Sequence, residues 1–156
     1  IAAINFHPGP PNYRGIGCLN YAMYNEEKEY GVTAHIIDKK VDFGKILSVK
    51  KFRICKNETI ESLLVKSHNI QFKQAKEILE RLLSDKFNNI SEIKKYNNYK
   101  WSKRLYTRKD LLNLYEIKMK FNEKKINKII RSTNTSLYKP YIRLNGYNFF
   151  FKNEKN

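Results

Sequence analysis

Cysteine is nearly absent: Cys18 and Cys55 are the two among 156 residues. They form no short-spaced pair, so neither a metal knuckle nor a disulfide framework is written here. They read as the reduced thiols of a cytoplasmic protein. Long apolar runs are missing as well, and with no stretch of about 18 such residues no membrane-spanning helix is expected. Proline and glycine number four and six, too few to build a linker between domains, and no internal repeat is visible. Acidic residues are scarce, 15 against 31 Lys and Arg, which leaves a formal net charge of +16. That balance is compatible with nucleic acid, an acidic membrane surface or phosphorylated substrates as partners. Most of the excess is Lys dispersed among Asn and Ile, however, which is the pattern of a compositional bias rather than of a built surface.

Hydrophobic residues make up 41% of the chain and aromatics 13%, enough for a packed core. The length suggests about one domain. Ile1-Ala2-Ala3-Ile4 opens without Met and reads as a buried strand already in progress, as if the chain began part-way through a larger protein.

The few prolines and glycines are concentrated. Pro8-Gly9-Pro10-Pro11 is followed by Tyr13-Arg14-Gly15, and this rigid loop ends a strand over 1–7, because proline cannot continue a ladder. Alternation along that strand puts Ala3, Asn5 and His7 on one face and Ile4 and Phe6 on the other. A short helix is expected over 15–25, a strand over 31–38 with Val32, Ala34 and Ile36 on one face, a loop over 39–44 and a third strand over 45–54. Residues 57–84 carry apolar positions at helical spacing, capped by Asn57 or Thr59, and predict a helix of about 40 Å that covers the sheet. Residues 85–98 read as a polar loop. A short helix capped by Thr107 or Asp110, a helix over 122–131 and a hairpin over 138–152 turning at Asn145-Gly146 complete the chain.

Asn5, His7 and Asp42 are the candidate working groups. Attack of an amine on an acyl carbon needs a base for the amine's proton and a donor for the developing oxyanion. An imidazole near neutral pH serves as base or acid, and an amide N–H stabilises the oxyanion. Asp42, on a loop ending Phe43-Gly44, orients the imidazole or accepts the proton itself. His35, within a strand, and His68, within the long helix, read as structural.

The ordered set Asn5-Phe6-His7, Tyr13-Arg14-Gly15, Gly31-Val32-Thr33-Ala34-His35 and Asp42-Phe43-Gly44-Lys45-Ile46-Leu47 resembles the folate-dependent formyltransferase family. The resemblance covers 1–47. It implies an enzyme that takes its formyl group from N10-formyltetrahydrofolate as cosubstrate, with Asn5, His7 and Asp42 as catalytic residues and no metal. It implies an α/β fold: the C-terminal part of a Rossmann-like catalytic core over 1–84, with a long covering helix, then an α+β extension over 85–156 ending in the hairpin. The family's preceding βαβ half, which supplies much of the folate pocket, is not in the sequence.

His7-Pro8-Gly9-Pro10-Pro11-Asn12-Tyr13-Arg14 lacks the Ser-Leu-Leu-Pro run of the tRNA-formylating members and is similar to the nucleotide-sugar branch. That branch implies a dTDP-type amino-dideoxy sugar as acceptor, with Tyr13, Arg14, Tyr106, Arg108 and Lys109 as substrate-binding residues, Arg104 beside them, and a homodimer. Nucleic acid and membrane are not expected partners. Two other readings stay open: a methionyl-tRNA formyltransferase, favoured by the charge, and a truncated, non-catalytic basic binding module.

Overall fold

The computed structural model describes residues 3–84 and 98–152. Alternation of apolar and polar residues makes strand β1 of Ile4–His7. It pairs antiparallel with β3 (Glu29–Ile36), Asn5 opposite His35 and His7 opposite Thr33. Strand β4 (Ile46–Arg53) lies antiparallel on the other side of β3, giving the order β1-β3-β4. The central strand is buried from Tyr30 to His35. The β3–β4 register slips between Ala34 and His35, beside the candidate site, where bulges commonly re-aim a side chain.

Helix α1 is shorter than expected, Cys18–Tyr24. Gly15 and Gly17 before it have φ of 89° and 74°, a left-handed backbone that keeps the helix from starting earlier. Helix α2 spans Ile60–Leu83 and lies across the sheet. Of the two expected caps, Thr59 is the one used. Its hydroxyl accepts from the Ser62 N–H at 3.1 Å and Ser62 Oγ accepts from the Thr59 N–H at 3.0 Å. Ile60, Leu63, Ser67, Gln74 and Ile78 are its buried stripe, at the spacing of one helical face. Gln74 ties the helix to β4 by donating to the Ser48 carbonyl and hydroxyl, both at 3.1 Å.

The second half folds back on the first. Residues Arg14–Gly15 (β2) and Leu105–Tyr106 (β5) pair in parallel, a contact between positions about ninety apart that the sequence did not announce. Helix α3 (Arg108–Tyr115) starts at a capping box between Thr107 and Asp110. Strand β6 (Glu116–Ile117) pairs with β7 (Tyr141–Leu144), and β7 with β8 (Tyr147–Phe150). Asn145 and Gly146, at φ of 48° and 86°, make the expected two-residue turn. Helix α4 (Glu123–Thr133) packs on α1. The α/β architecture with its long covering helix and closing hairpin is as the sequence predicts. Most of the expected loop over 85–98 lies outside the described residues.

Candidate active site

The cluster begins with strand geometry. Asn5 and His7 point the same way from β1, and the antiparallel register sets His35 of β3 directly across from Asn5. The loop after β3 returns Asp42 to this group. Asp42 takes φ of 43°, a left-handed conformation uncommon outside glycine and found where a site demands it. Gly44 closes the loop because a Cβ there would sit 1.7 Å from the Ile36 carbonyl oxygen.

Asp42 is the hub. Its Oδ2 accepts from the Gly15 N–H at 2.9 Å and lies 3.3 Å from His7 Nδ1. Its Oδ1 lies 3.4 Å from Asn5 Nδ2 and 3.6 Å from His35 Nε2. Burial opposes its charge, but contacts with His35, His7 and the Gly15 N–H together hold the carboxyl below its ordinary value.

The hydrogen bonds fix the protons on both imidazoles. His7 Nε2 lies 2.7 Å from the Tyr13 carbonyl, which only accepts, so Nε2 carries a hydrogen. Nδ1 is then the basic nitrogen and faces Asp42. A proton arriving there completes a charge-assisted bond to the carboxylate. Until then, burial lowers the His7 pKa, with Asp42 working against it. Nδ1 of His35 donates to the Ile36 carbonyl at 2.9 Å, leaving Nε2 to accept from Asn5 Nδ2 at 3.1 Å. The amide N–H groups of Asn5 are thus spent on His35 and Asp42. Donation from Asn5 to an oxyanion requires exchange of one of them, and the contact to Asp42 is the longer.

Three neighbours tighten the site. Gly9 lies against the His7 ring, where a Cβ would come within 2.6 Å of Nε2. Cys18 Sγ stands 3.8 Å from the same nitrogen, and burial pushes its thiol up to about 12, so it stays protonated. The Trp101 ring meets both imidazoles edge to face, at 5.0 Å from His35 and 5.9 Å from His7.

A carboxylate, two buried imidazoles and an amide in mutual contact form an acid–base centre, and it lies within the span recognised by a known family. A family description, formyl transferase, matches residues 1–80. The chain belongs to the formyl transferase family. Over 83 residues it is 35% identical to a methionyl-tRNA formyltransferase of Chlorobium chlorochromatii, a match covering 53% of this chain and 26% of that protein. Its fold is similar to that of a 4-N formyltransferase from Francisella tularensis, with a TM-score of 0.79 at 20% identity over 100% of this chain and 63% of the other. It is similar also to a Helicobacter canadensis N-formyltransferase solved with folinic acid and dTDP-3-aminofucose, with a TM-score of 0.68 at 26% identity over 92% and 51% of the two chains. The chain spans 15 to 32% of the length of three curated relatives that it matches.

In this formyl transferase family chain Asn5, His7 and Asp42 come together, and His35 joins them. His35 was expected to be structural. Its strand register, invisible in strand periodicity alone, brings it within reach of both Asn5 and Asp42. His68 is exposed on α2, away from the cluster.

The residues expected to bind substrate are arranged differently. Arg14 is buried, and its guanidinium donates to the carbonyls of Val41 (2.7 Å), Asp42 (2.7 Å) and Ser102 (2.9 Å). It clamps the Asp42 loop instead of facing outward. The Tyr13 hydroxyl donates to Glu27 Oε1 at 2.9 Å, and its ring stacks on Tyr106 at 5.8 Å. Tyr106 stacks in turn on Tyr21 at 4.1 Å. Both rings are core, because their aromatic area is worth more buried against each other than exposed. Arg104 lies over the Tyr106 ring at 4.5 Å. Arg108 borders a groove of about 380 Å³ walled by Ile16, Leu111, Tyr115, Tyr138 and Tyr141. Lys109 is exposed on α3 and does not line that groove. Among the described residues no group of three or more His, Cys, Asp or Glu could hold a metal ion, and no helix is long and apolar enough to cross a membrane.

Proposed function

We propose that this chain transfers a formyl group from N10-formyltetrahydrofolate to the amino group of a nucleotide-linked, dTDP-type amino-dideoxy sugar. The carrying observation is the buried cluster in which Asp42 touches His7, His35 and Asn5 at once. An amide, two imidazoles and a carboxylate suit a formyl carbonyl that must be polarised next to an amine that must lose a proton.

The amine nitrogen forms its bond to the formyl carbon, and the bond from that carbon to N10 breaks. Asn5 turns an N–H from Asp42 to the formyl oxygen as charge builds there. The amine's proton goes to the edge shared by His7 Nδ1 and Asp42 Oδ2, and from there returns to N10 as it leaves. Arg14 and the Tyr13 carbonyl hold this edge in place. The groove beside Arg108, with Tyr115, Tyr138 and Tyr141 in its walls and Lys139 at its edge, offers aromatic faces for a base and cations for a pyrophosphate. Its volume is within the usual range for a small-ligand site. The Helicobacter canadensis neighbour, with its dTDP-linked sugar, supports the same acceptor.

A second reading, formylation of methionyl-tRNA, is favoured by the net charge of +16 and by the Chlorobium relative. The Pro8-Gly9-Pro10-Pro11 loop speaks against it. To test the proposal, tetrahydrofolate release is followed with a panel of nucleotide-linked amino sugars. Turnover that depends on a dTDP-linked amino sugar is expected. No turnover with any sugar, alongside formylation of methionyl-tRNA, overturns the proposal.

A further inference from the structure

Two loops frame the cluster: the proline-rich loop that follows His7 and the loop that carries Asp42. Residues Trp101 and Ser102 bridge them, although both lie beyond the 1–80 span that the family description matches. The indole Nε1–H donates to the Gly44 carbonyl at 2.6 Å. The Ser102 N–H donates to the Pro11 carbonyl at 2.9 Å, and its carbonyl accepts from Arg14 Nη1 at 2.9 Å. Between these anchors the Trp101 ring stands edge to face on His35 and His7, with interplanar angles of 83° and 67°.

We propose that Trp101 is a positioning residue of this site: tied to the Asp42 loop by its N–H, its ring holds both imidazoles against Asp42. The loop needs such a hold. Asp42 sits in a left-handed conformation, which an Asp adopts more readily than most residues but still at a cost that its surroundings offset. Arg14 grips the Val41 and Asp42 carbonyls from one side, and Trp101 grips Gly44 from the other. The ring also covers imidazole edges that would otherwise meet water, which strengthens every charge interaction in the cluster. The titratable and charged groups facing the imidazoles are Asp42 from the loop, Arg14 from β2, Cys18 from α1 and each imidazole from the other's strand.

This inference deepens the proposed function and is tested separately from it. Trp101 is the single tryptophan of the chain, so its emission reports on the site without substitution. In the wild-type chain the emission is expected to follow the His7 titration read by NMR, because a protonated imidazole against an indole perturbs it. Emission that stays flat while His7 titrates overturns the proposal. Trp101→Phe keeps a ring and removes the N–H. Its His7 midpoint is expected to shift, and kcat for formyl transfer to fall about tenfold with KM nearly unchanged, the loss of one well-placed hydrogen bond. A wild-type His7 midpoint together with wild-type kcat in Trp101→Phe also overturns it. If neither protein transfers a formyl group, the proposed function fails and the NMR midpoint still decides the role of Trp101.

Discussion

His7 and Asp42 together present one proton-accepting edge. The carbonyl of Tyr13 fixes the hydrogen on Nε2, so the pair's spare capacity lies at Nδ1 and Oδ2. Asp42→Asn removes the charge and leaves a residue that tolerates the left-handed backbone. It should therefore fold normally and lower kcat by about a hundredfold or more in a formyl-transfer assay; near-wild-type kcat removes Asp42 from the chemistry. Stability carries a second signature. Burial lowers the His7 pKa from 6.5, so as pH falls below that value the unfolded chain takes up a proton that the folded chain resists. Stability from this group is complete above about pH 6.5 and is lost as pH falls toward the folded value. Thermal melts of the wild type should show this loss, and melts of His7→Asn should lack it in the same window. The lowered Asp42 pKa acts at lower pH, with stability lost as pH falls below the ordinary carboxylate range.

At the scale of elements, the loop between β3 and β4 is held from outside. Three backbone carbonyls depend on one guanidinium. A lysine cannot reach all three in a planar fork, so Arg14→Lys should cost about 2 kcal/mol, read as a lower denaturant midpoint at unchanged slope. A midpoint equal to wild type would show that the clamp contributes nothing. This dependence explains what was legible in the sequence. Asn5, His7 and Asp42 stood out by residue type and by a proline-rich loop. The Asn145-Gly146 turn and the cap of α2 were local signals and were read locally. His35 was missed because its partner is set by the β1–β3 register. Trp101 and the clamping role of Arg14 were missed because both depend on contacts across the length of the chain. Tyr13 and Tyr106 read as binders because exposed aromatics and aromatics in a stack look alike without coordinates.

Across the whole molecule, the acid–base cluster and the aromatic groove lie on different elements: the cluster on the β1-β3-β4 sheet and the loop after β3, the groove between α3 and the closing hairpin. The proposal assigns chemistry to the first and nucleotide recognition to the second. Arg108→Ala should raise KM for the nucleotide sugar several-fold and leave kcat within about twofold, since it removes binding that ground and transition states share. An equal fall in kcat would place Arg108 in the chemistry instead.

The acceptor is what separates the two readings of this site. The decisive measurement supplies formyl-labelled N10-formyltetrahydrofolate to one reaction that contains both a dTDP-linked amino sugar and methionyl-tRNA, and asks where the label goes. Label is expected on the sugar's amino group, with little on the tRNA and none on either with Asp42→Asn. Label on the tRNA in preference to the sugar would contradict the sugar reading.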